Sequence, residues 1–284
     1  MAHMSSVGYL DAIVLGVVEG LTEFLPVSST GHLTVAEGLL GLKIDDPAVT
    51  SFTAIIQFGA IVATFLYFRA DFVRLALAWL RGLGPARGRH HAPDPDYRFA
   101  WLVILGSSPI VVVALVGKDL IDGPLRNLWV VAGSLIAWSA VIWWAERNPR
   151  QEYEETELGV REVLIIGLMQ CVALVPGVSR SGATISAGLM VGATRVAATR
   201  LSFFLAVPAL TGAGVYSLKD VNTEVVGWGP MAVGTFVSFL VAYAAIAWLL
   251  KLVAGHSIAV FNPYRIVAGL VVMGLLATNV LSAT

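Results

Sequence analysis

The sequence predicts an all-α polytopic membrane protein with six transmembrane helices plus two re-entrant helix-turn-helix hairpins, arranged as an inverted repeat. Three observations predict it. Hydrophobic residues make up 57% of the 284-residue chain and charged residues only 13%, with a mean hydropathy of +0.80, a balance that belongs to a bilayer rather than to a soluble core. Six stretches are apolar and long enough to cross as helices of about 20 residues each; they run over 50–68, 99–116, 128–145, 196–218, 231–252 and 266–281. Two further apolar segments, 10–42 and 160–193, are broken in the middle by the polar turns Pro-Val-Ser-Ser-Thr-Gly and Pro-Gly-Val-Ser-Arg-Ser-Gly.

The repeat is read by sliding the chain against itself. At a constant offset of 151 residues (167 minus 16), Gly16 meets Gly167, Glu19 meets Gln170, Ser28 meets Ser179, Thr30 meets Ser181 and Gly31 meets Gly182. Ser51-Phe52 meets Ser202-Phe203 without a gap. The repeats span 9–146 and 158–282 within one membrane domain, 1–284. Irregular backbone at membrane depth is tolerated where protein or a watery cavity satisfies it, so both broken segments are expected to turn back rather than cross. Each half then holds one hairpin and three crossings. An odd number of crossings inverts the second half, and the two turns converge near the middle.

Basic residues in short loops set the orientation. Arg69, Arg74, Arg81, Arg87, Arg89 and Arg98 follow the first crossing, and two crossings later come Arg147, Arg150 and Arg161, then Lys251 and Arg265. These loops are placed in the cytoplasm. Both chain ends and the segments 118–126 and 219–224 are placed outside. Asp71 to Leu83 reads as an amphipathic helix on the cytoplasmic surface, Trp138, Trp143 and Trp144 as an interfacial belt, the acidic run 152–157 as a solvated loop, and 188–192 as close helix packing. The net charge of −1 excludes the basic surface that a nucleic-acid partner needs. A single cysteine, Cys171, excludes an internal disulfide. Met1-Ala2-His3 reads as a cloning remnant.

The chemistry lies in the two turns. Glu19 and Glu23, four residues apart, project from one helix face. Two like charges so placed need either a proton on one or a cation between them, and a hard ion such as Mg²⁺ or Ca²⁺ suits carboxylates; a helix cap and a bond to a neighbouring hydroxyl are the structural alternative. Pro26 stops the first helix, and Ser28, Ser29 and Thr30 then stand at the start of the next, where backbone N–H groups are free. Any one of them serves as a cap, but with His32 three residues beyond Ser29 they also supply a nucleophile and an acid or base. In the second turn Arg180, flanked by Ser179, Ser181 and Thr184 at another helix N-terminus, carries the planar donor fork that matches phosphate; an ion pair with Glu19 or Glu23 is its structural alternative.

Residues 19–32, Glu-Gly-Leu-Thr-Glu-Phe-Leu-Pro-Val-Ser-Ser-Thr-Gly-His, and 176–184, Pro-Gly-Val-Ser-Arg-Ser-Gly-Ala-Thr, resemble the two signature regions of the undecaprenyl-diphosphate phosphatase, or bacitracin-resistance, family, and the segment 203–208 fits as well. The resemblance implies hydrolysis of undecaprenyl diphosphate to the monophosphate carrier used in cell-wall synthesis, a divalent cation, a bacterial plasma membrane and a pocket open to the outer leaflet. It matches Glu19 and Glu23 to the family's acidic motif, Ser29 and His32 to its nucleophile and proton-transfer residues, and Arg180 to its phosphate-binding arginine. A transporter or flippase of a polyprenyl phosphate lipid is the alternative, since inverted repeats with re-entrant hairpins also build transporters. Partners are then the lipid substrate and the bilayer, with a homodimer left open.

Overall fold

The computed structural model describes residues 7–44, 46–84, 94–117, 120–121, 123–147, 149–220 and 226–283. Arg87, Arg89, Lys118 and Glu224, used above to assign loops, lie outside them, as does the N-terminal remnant. Among the described residues there are eleven α-helices and no strand longer than an isolated bridge between Tyr153 and Ala193. Six apolar helices are long enough to cross a membrane: Pro47–Tyr67, Pro95–Val116, Leu128–Arg147, Arg195–Ser217, Trp228–Val253 and Ile258–Ala277. The chain is a multi-pass, all-α membrane protein.

The first broken segment forms α1 (Tyr9–Thr22) and α2 (Ser29–Leu39); the second forms α7 (Val160–Val172) and α8 (Arg180–Met190). At about 1.5 Å rise per residue, α1 spans about 21 Å and is too short to cross the hydrocarbon layer alone. It stops at Thr22, four residues before Pro26, because the ring clashes with a preceding helical turn. The remaining helices are α3 (Pro47–Tyr67), α4 (Arg69–Leu83), α5 (Pro95–Val116), α6 (Leu128–Arg147), α9 (Arg195–Ser217), α10 (Trp228–Val253) and α11 (Asn262–Ala277). The helix α4 exposes Val73, Leu77 and Leu80 while burying Leu75 and Ala78, as the amphipathic pattern requires.

Packing between the halves is reciprocal. The buried face of α1 carries Ala12, Leu15, Gly16, Glu19 and Gly20 at helical spacing and lies on α10 of the second half, while α7 of the second half lies on α5 of the first. Small residues permit the approach: a Cβ on Gly16 would stand 2.6 Å from the Gly234 carbonyl, and one on Gly167 would collide with the Gly106 backbone. Without a hydrophobic driving force between helices in lipid, this contact of backbones supplies the association. Beneath the turns, Phe24, Phe68, Phe72, Phe99, Phe203 and Phe204 pack edge-on or tilted, with ring centroids 5.1 to 5.6 Å apart in the pairs Phe24–Phe203, Phe68–Phe203, Phe68–Phe204, Phe72–Phe204 and Phe99–Phe204.

Two sequence expectations need correction. Arg265, counted with the cytoplasmic loops, is fully buried inside the last apolar helix; a charge tally by sequence position cannot tell a loop arginine from one that enters the bundle. Trp138 is buried in the core while Trp143 and Trp144 are exposed, so the aromatic belt is two residues wide because helical rotation turns Trp138 inward. The acidic run 152–157 is a solvated loop as expected, with Glu152, Glu154 and Glu157 exposed; within it Glu155 accepts from Arg200 at 2.7 Å, and Glu157 accepts from the Glu154 amide at the same distance.

Gly16→Val should lower thermal stability in detergent by about 1–3 kcal/mol through overpacking against α10. Gly133→Ala, where no heavy atom lies within 4 Å of the added carbon, should be neutral or stabilising by up to about 1 kcal/mol. Equal melting temperatures for wild type and Gly16→Val would show that the close approach carries no stability.

Candidate active site

The two turns share one construction. Ser28 and Ser179, the residues before α2 and α8, both adopt left-handed backbone, with φ of 77° and 82°, a conformation that costs non-glycine residues about 1–3 kcal/mol and clusters at functional sites. Each caps its helix: Ser28 Oγ accepts from the Gly31 amide at 3.3 Å and Ser179 Oγ from the Gly182 amide at 3.1 Å. Each also reaches the other turn. Ser28 Oγ accepts from the Gly177 amide at 3.2 Å, and the Ser179 and Ser181 hydroxyls donate to the Leu25 carbonyl at 3.4 and 2.9 Å. Gly177 itself has φ of 95° and lies so close to Val131 and Ser134 that a side chain would not fit.

Arg265 binds both turns from behind. Its Nη1 donates to the Pro26 carbonyl at 2.7 Å, its Nη2 to the Gly177 and Val178 carbonyls at 3.0 and 3.1 Å, and its Nε to Ser139 Oγ at 3.3 Å. The carbonyls of both turns therefore point at a cation on one side. The first amides of α2 and α8, which have no acceptor within their own helices, begin immediately beyond them.

A cavity of about 730 Å³ lies against the turns, and Glu23, Ser28, Ser29, Thr30, Ser179 and Arg180 line its polar end. Glu23 is the hub: Oε1 accepts from Arg180 Nη2 at 2.9 Å, and Oε2 accepts from the Ser29 hydroxyl. Arg180 is further held by Nη1 donating to the Ser202 carbonyl at 3.1 Å. Both ends of the ion pair are largely shielded, with side chains 10% and 4% exposed, so Coulomb attraction here is screened far less than at a surface. Much of the remaining lining is apolar, drawn from Ile110, Val111 and Ala114 of α5 and Ala209, Leu210 and Ala213 of α9, with Thr50, Ser51, Gln57 and Arg126 among the polar residues of the other walls.

The remaining expected residues divide. Thr30 stands in the cavity wall; Ser181 and Thr184 do not, being buried beneath it, Ser181 on the Leu25 carbonyl and Thr184 donating to Ser202 Oγ at 2.7 Å. Ser29 and His32, expected to face each other, are turned apart because each has a nearer partner. Ser29 is held by Glu23, whereas His32 Nδ1 lies 2.7 Å from the Ser28 carbonyl and Nε2 lies 2.6 Å from the Tyr264 hydroxyl, the two rings stacked with centroids 5.6 Å apart. Glu19 is fully buried outside the cavity lining, and neither of its carboxylate oxygens has a hydrogen-bond partner among the described residues. Its counterpart by the 151-residue offset, Gln170, is equally buried and equally unpartnered. The residues missed by sequence are Arg265 and Tyr264; a charge inside an apolar stretch was the available signal for the first, and nothing in the pattern marked the second.

An arginine, a hydroxyl and a carboxylate are joined at two helix N-termini, at the end of a cavity inside a bundle of apolar helices, a donor set of the kind that suits an anion. Residues 12–271 match the family model described as bacitracin resistance protein BacA, and the chain belongs to that family. It is 55% identical over 279 residues to undecaprenyl-diphosphatase 1 of Streptomyces coelicolor, covering 98% of this chain and 99% of that one. It is 49% identical to undecaprenyl-diphosphatase of Cutibacterium acnes, covering 97% and 99%, and 45% identical to undecaprenyl-diphosphatase of Corynebacterium diphtheriae, covering 98% of each.

Arg180→Lys keeps the charge and loses the fork that serves Glu23 and Ser202 together, and should reduce turnover by about 10²–10³-fold. Glu23→Gln, which removes the acceptor for the Ser29 proton, should cost at least as much, about 10²–10⁴-fold. Glu19→Gln should be milder, since the second repeat accommodates Gln170. Near-normal phosphate release by Arg180→Lys in folded, monodisperse protein would reduce the arginine to a structural partner.

Proposed function

We propose that the cavity hydrolyses undecaprenyl diphosphate to undecaprenyl phosphate and inorganic phosphate, recycling the lipid carrier and so conferring bacitracin resistance. The observation that carries this is the Ser29–Glu23–Arg180 group at the polar end of a cavity much of whose remaining lining is apolar. Ser29 Oγ attacks the terminal phosphorus as Glu23 takes its proton. The bond from that phosphorus to the bridging oxygen breaks, and the lipid monophosphate departs with the electron pair and takes the proton from Glu23; a water then attacks the same phosphorus as the freed Glu23 carboxylate takes its proton, the bond to Ser29 Oγ breaks, and Glu23 returns that proton to Oγ as phosphate leaves. Arg180 and the free amides of α2 and α8 meet the charge that gathers on the phosphoryl oxygens. The geometry supports Ser29 over His32 as nucleophile, since Ser29 lines the cavity, whereas His32 is not in its lining and both of its ring nitrogens have protein partners.

A divalent cation fits the donor set. Among the described residues no three His, Cys, Asp or Glu side chains gather as a metal cage, but Glu19 offers two buried carboxylate oxygens without protein partners beside Glu23. Mg²⁺ and Ca²⁺ accept one or two carboxylates with substrate oxygens and water completing the shell. Such an ion would neutralise charge on the diphosphate; the side chains that hold it would be Glu19 and Glu23.

Transport of the same lipid remains the second reading, favoured by the reciprocal packing of α1 on α10 and α7 on α5, which fits an inverted repeat. A hydroxyl held on a carboxylate serves hydrolysis and has no role in transport. Phosphate release from detergent-solubilised protein separates the two readings, because transport has no meaning there.

The orientation belongs to the same proposal. Pro47 and Thr50 at the start of α3, Leu115 at the end of α5, Arg126, and Tyr216 and Ser217 at the end of α9 form one end of the cavity, and these are the helix ends opposite the arginine-rich loops. Under the positive-inside rule the cavity opens to the extracytoplasmic leaflet. In a Cys171→Ala background, Lys43→Cys should react with a membrane-impermeant thiol reagent on intact cells and His256→Cys should not. Labelling of His256→Cys alone would invert the orientation.

A further inference from the structure

The cavity carries a second cation that the reaction leaves unused. Arg126, in the connection between α5 and α6, lines the same cavity as Ser29 and Arg180. Among the described residues its guanidinium has no ion pair within salt-bridge distance; Glu37 is a carboxylate near enough to interact with it electrostatically. Glu37 lies on the inner face of α2, is only 1% exposed, and leaves its Oε2 without a hydrogen-bond partner among the described residues. It stands eight residues beyond Ser29 (37 minus 29), about 12 Å up the helix at about 1.5 Å per residue, at the end of the cavity formed by the helix termini.

Charge balance indicates what this pair does. At the polar end Arg180 is offset by Glu23 at 2.9 Å, with Glu19 a further carboxylate four residues before Glu23, so until a divalent cation binds there the side chains of that end carry no net positive charge. A phosphate ester brings about −1.5 to −2, and a diphosphate more. An anion of that charge enters a low-dielectric cleft readily only where a cation meets it. Among the described lining residues, Arg126 is the only cation besides Arg180. A guanidinium is suited to the task, since its fork matches phosphate oxygens and its charge is permanent.

We propose that Arg126 is an anion-capture site at the cavity mouth, which takes the phosphate oxygens of the head group before Arg180 does, with Glu37 as the buried counter-charge that holds the guanidinium over the opening when no anion is bound. The identity of the incoming lipid rests on the phosphatase reading above; the ability of Arg126 to bind phosphate does not.

The test uses inorganic diphosphate as the probe, titrated calorimetrically into the full chain in detergent. Arg126→Gln should weaken binding by about tenfold, Arg126→Lys should retain most of it, and Glu37→Gln, which removes the competing carboxylate, should tighten it by about threefold. In turnover of the lipid diphosphate, Arg126→Gln should raise KM more than it lowers kcat and should flatten the ionic-strength dependence of kcat/KM. Wild-type diphosphate affinity in Arg126→Gln, or a loss confined to kcat, overturns the capture site. If Arg126→Gln does not fold, Glu37→Gln decides: tighter binding supports the pair, and unchanged or weaker binding refutes it. Diphosphate binding that depends on Arg126 in a protein that releases no phosphate from the lipid would uphold the capture site and sink the phosphatase reading. Phosphate release with no dependence on Arg126 would do the reverse.

Discussion

One guanidinium holds the two turns together. Arg265 is buried with no carboxylate partner among the described residues, a placement that costs several kcal/mol unless its donors are met, and its donors are met by the Pro26, Gly177 and Val178 carbonyls and by Ser139. Those carbonyls belong to peptide groups just before α2 and α8. A cation on their oxygen side polarises the hydrogen bonds that continue through them, and the helix N-termini that start there face the cavity. The anion site and the buried arginine thus occupy opposite sides of the same stretch of backbone. Removing the arginine would leave three buried carbonyls unsatisfied and two turns free to separate.

Local strain and mutual bonding balance within this arrangement. Ser28 and Ser179 sit in backbone conformations unfavourable for any side chain, yet each hydroxyl has acceptor or donor partners in both turns. Neither turn alone supplies enough bonds to hold its serine; together they do. Ser29 and Arg180, each the residue after the strained one, are placed by this lock, and Glu23 joins them across the seam between the two hairpins.

Much of the fold was legible in the chain because membrane helices declare themselves by length and hydropathy, and because a polar turn inside an apolar segment has few places to go. Glu23, Ser29 and Arg180 were legible for the same reason: charge at membrane depth demands a partner. The partnership itself was not. Ser29 and His32 share a helix, which suggested a pair, but Glu23 reaches Ser29 from the preceding helix, and Tyr264, more than two hundred residues away in sequence, draws His32 aside. Arg265 was read as a loop residue because it lies near the start of an apolar run, and only the packing of α11 against α6 shows that it faces inward. Contacts between distant segments are what a periodicity argument leaves out.

The reciprocal docking of α1 on α10 and of α7 on α5 also bears on how the protein is made. The helix that carries Glu19 leaves the ribosome before the surface it docks on, which lies about two hundred residues later in the chain, has been synthesised. During insertion the first hairpin exists with its small-residue face uncovered and its carboxylates without Arg180. Neither half is therefore a self-sufficient folding unit, and the site forms late, when the second half closes over the first. A chain interrupted before α10 leaves the small-residue face of α1 without the surface on which it docks.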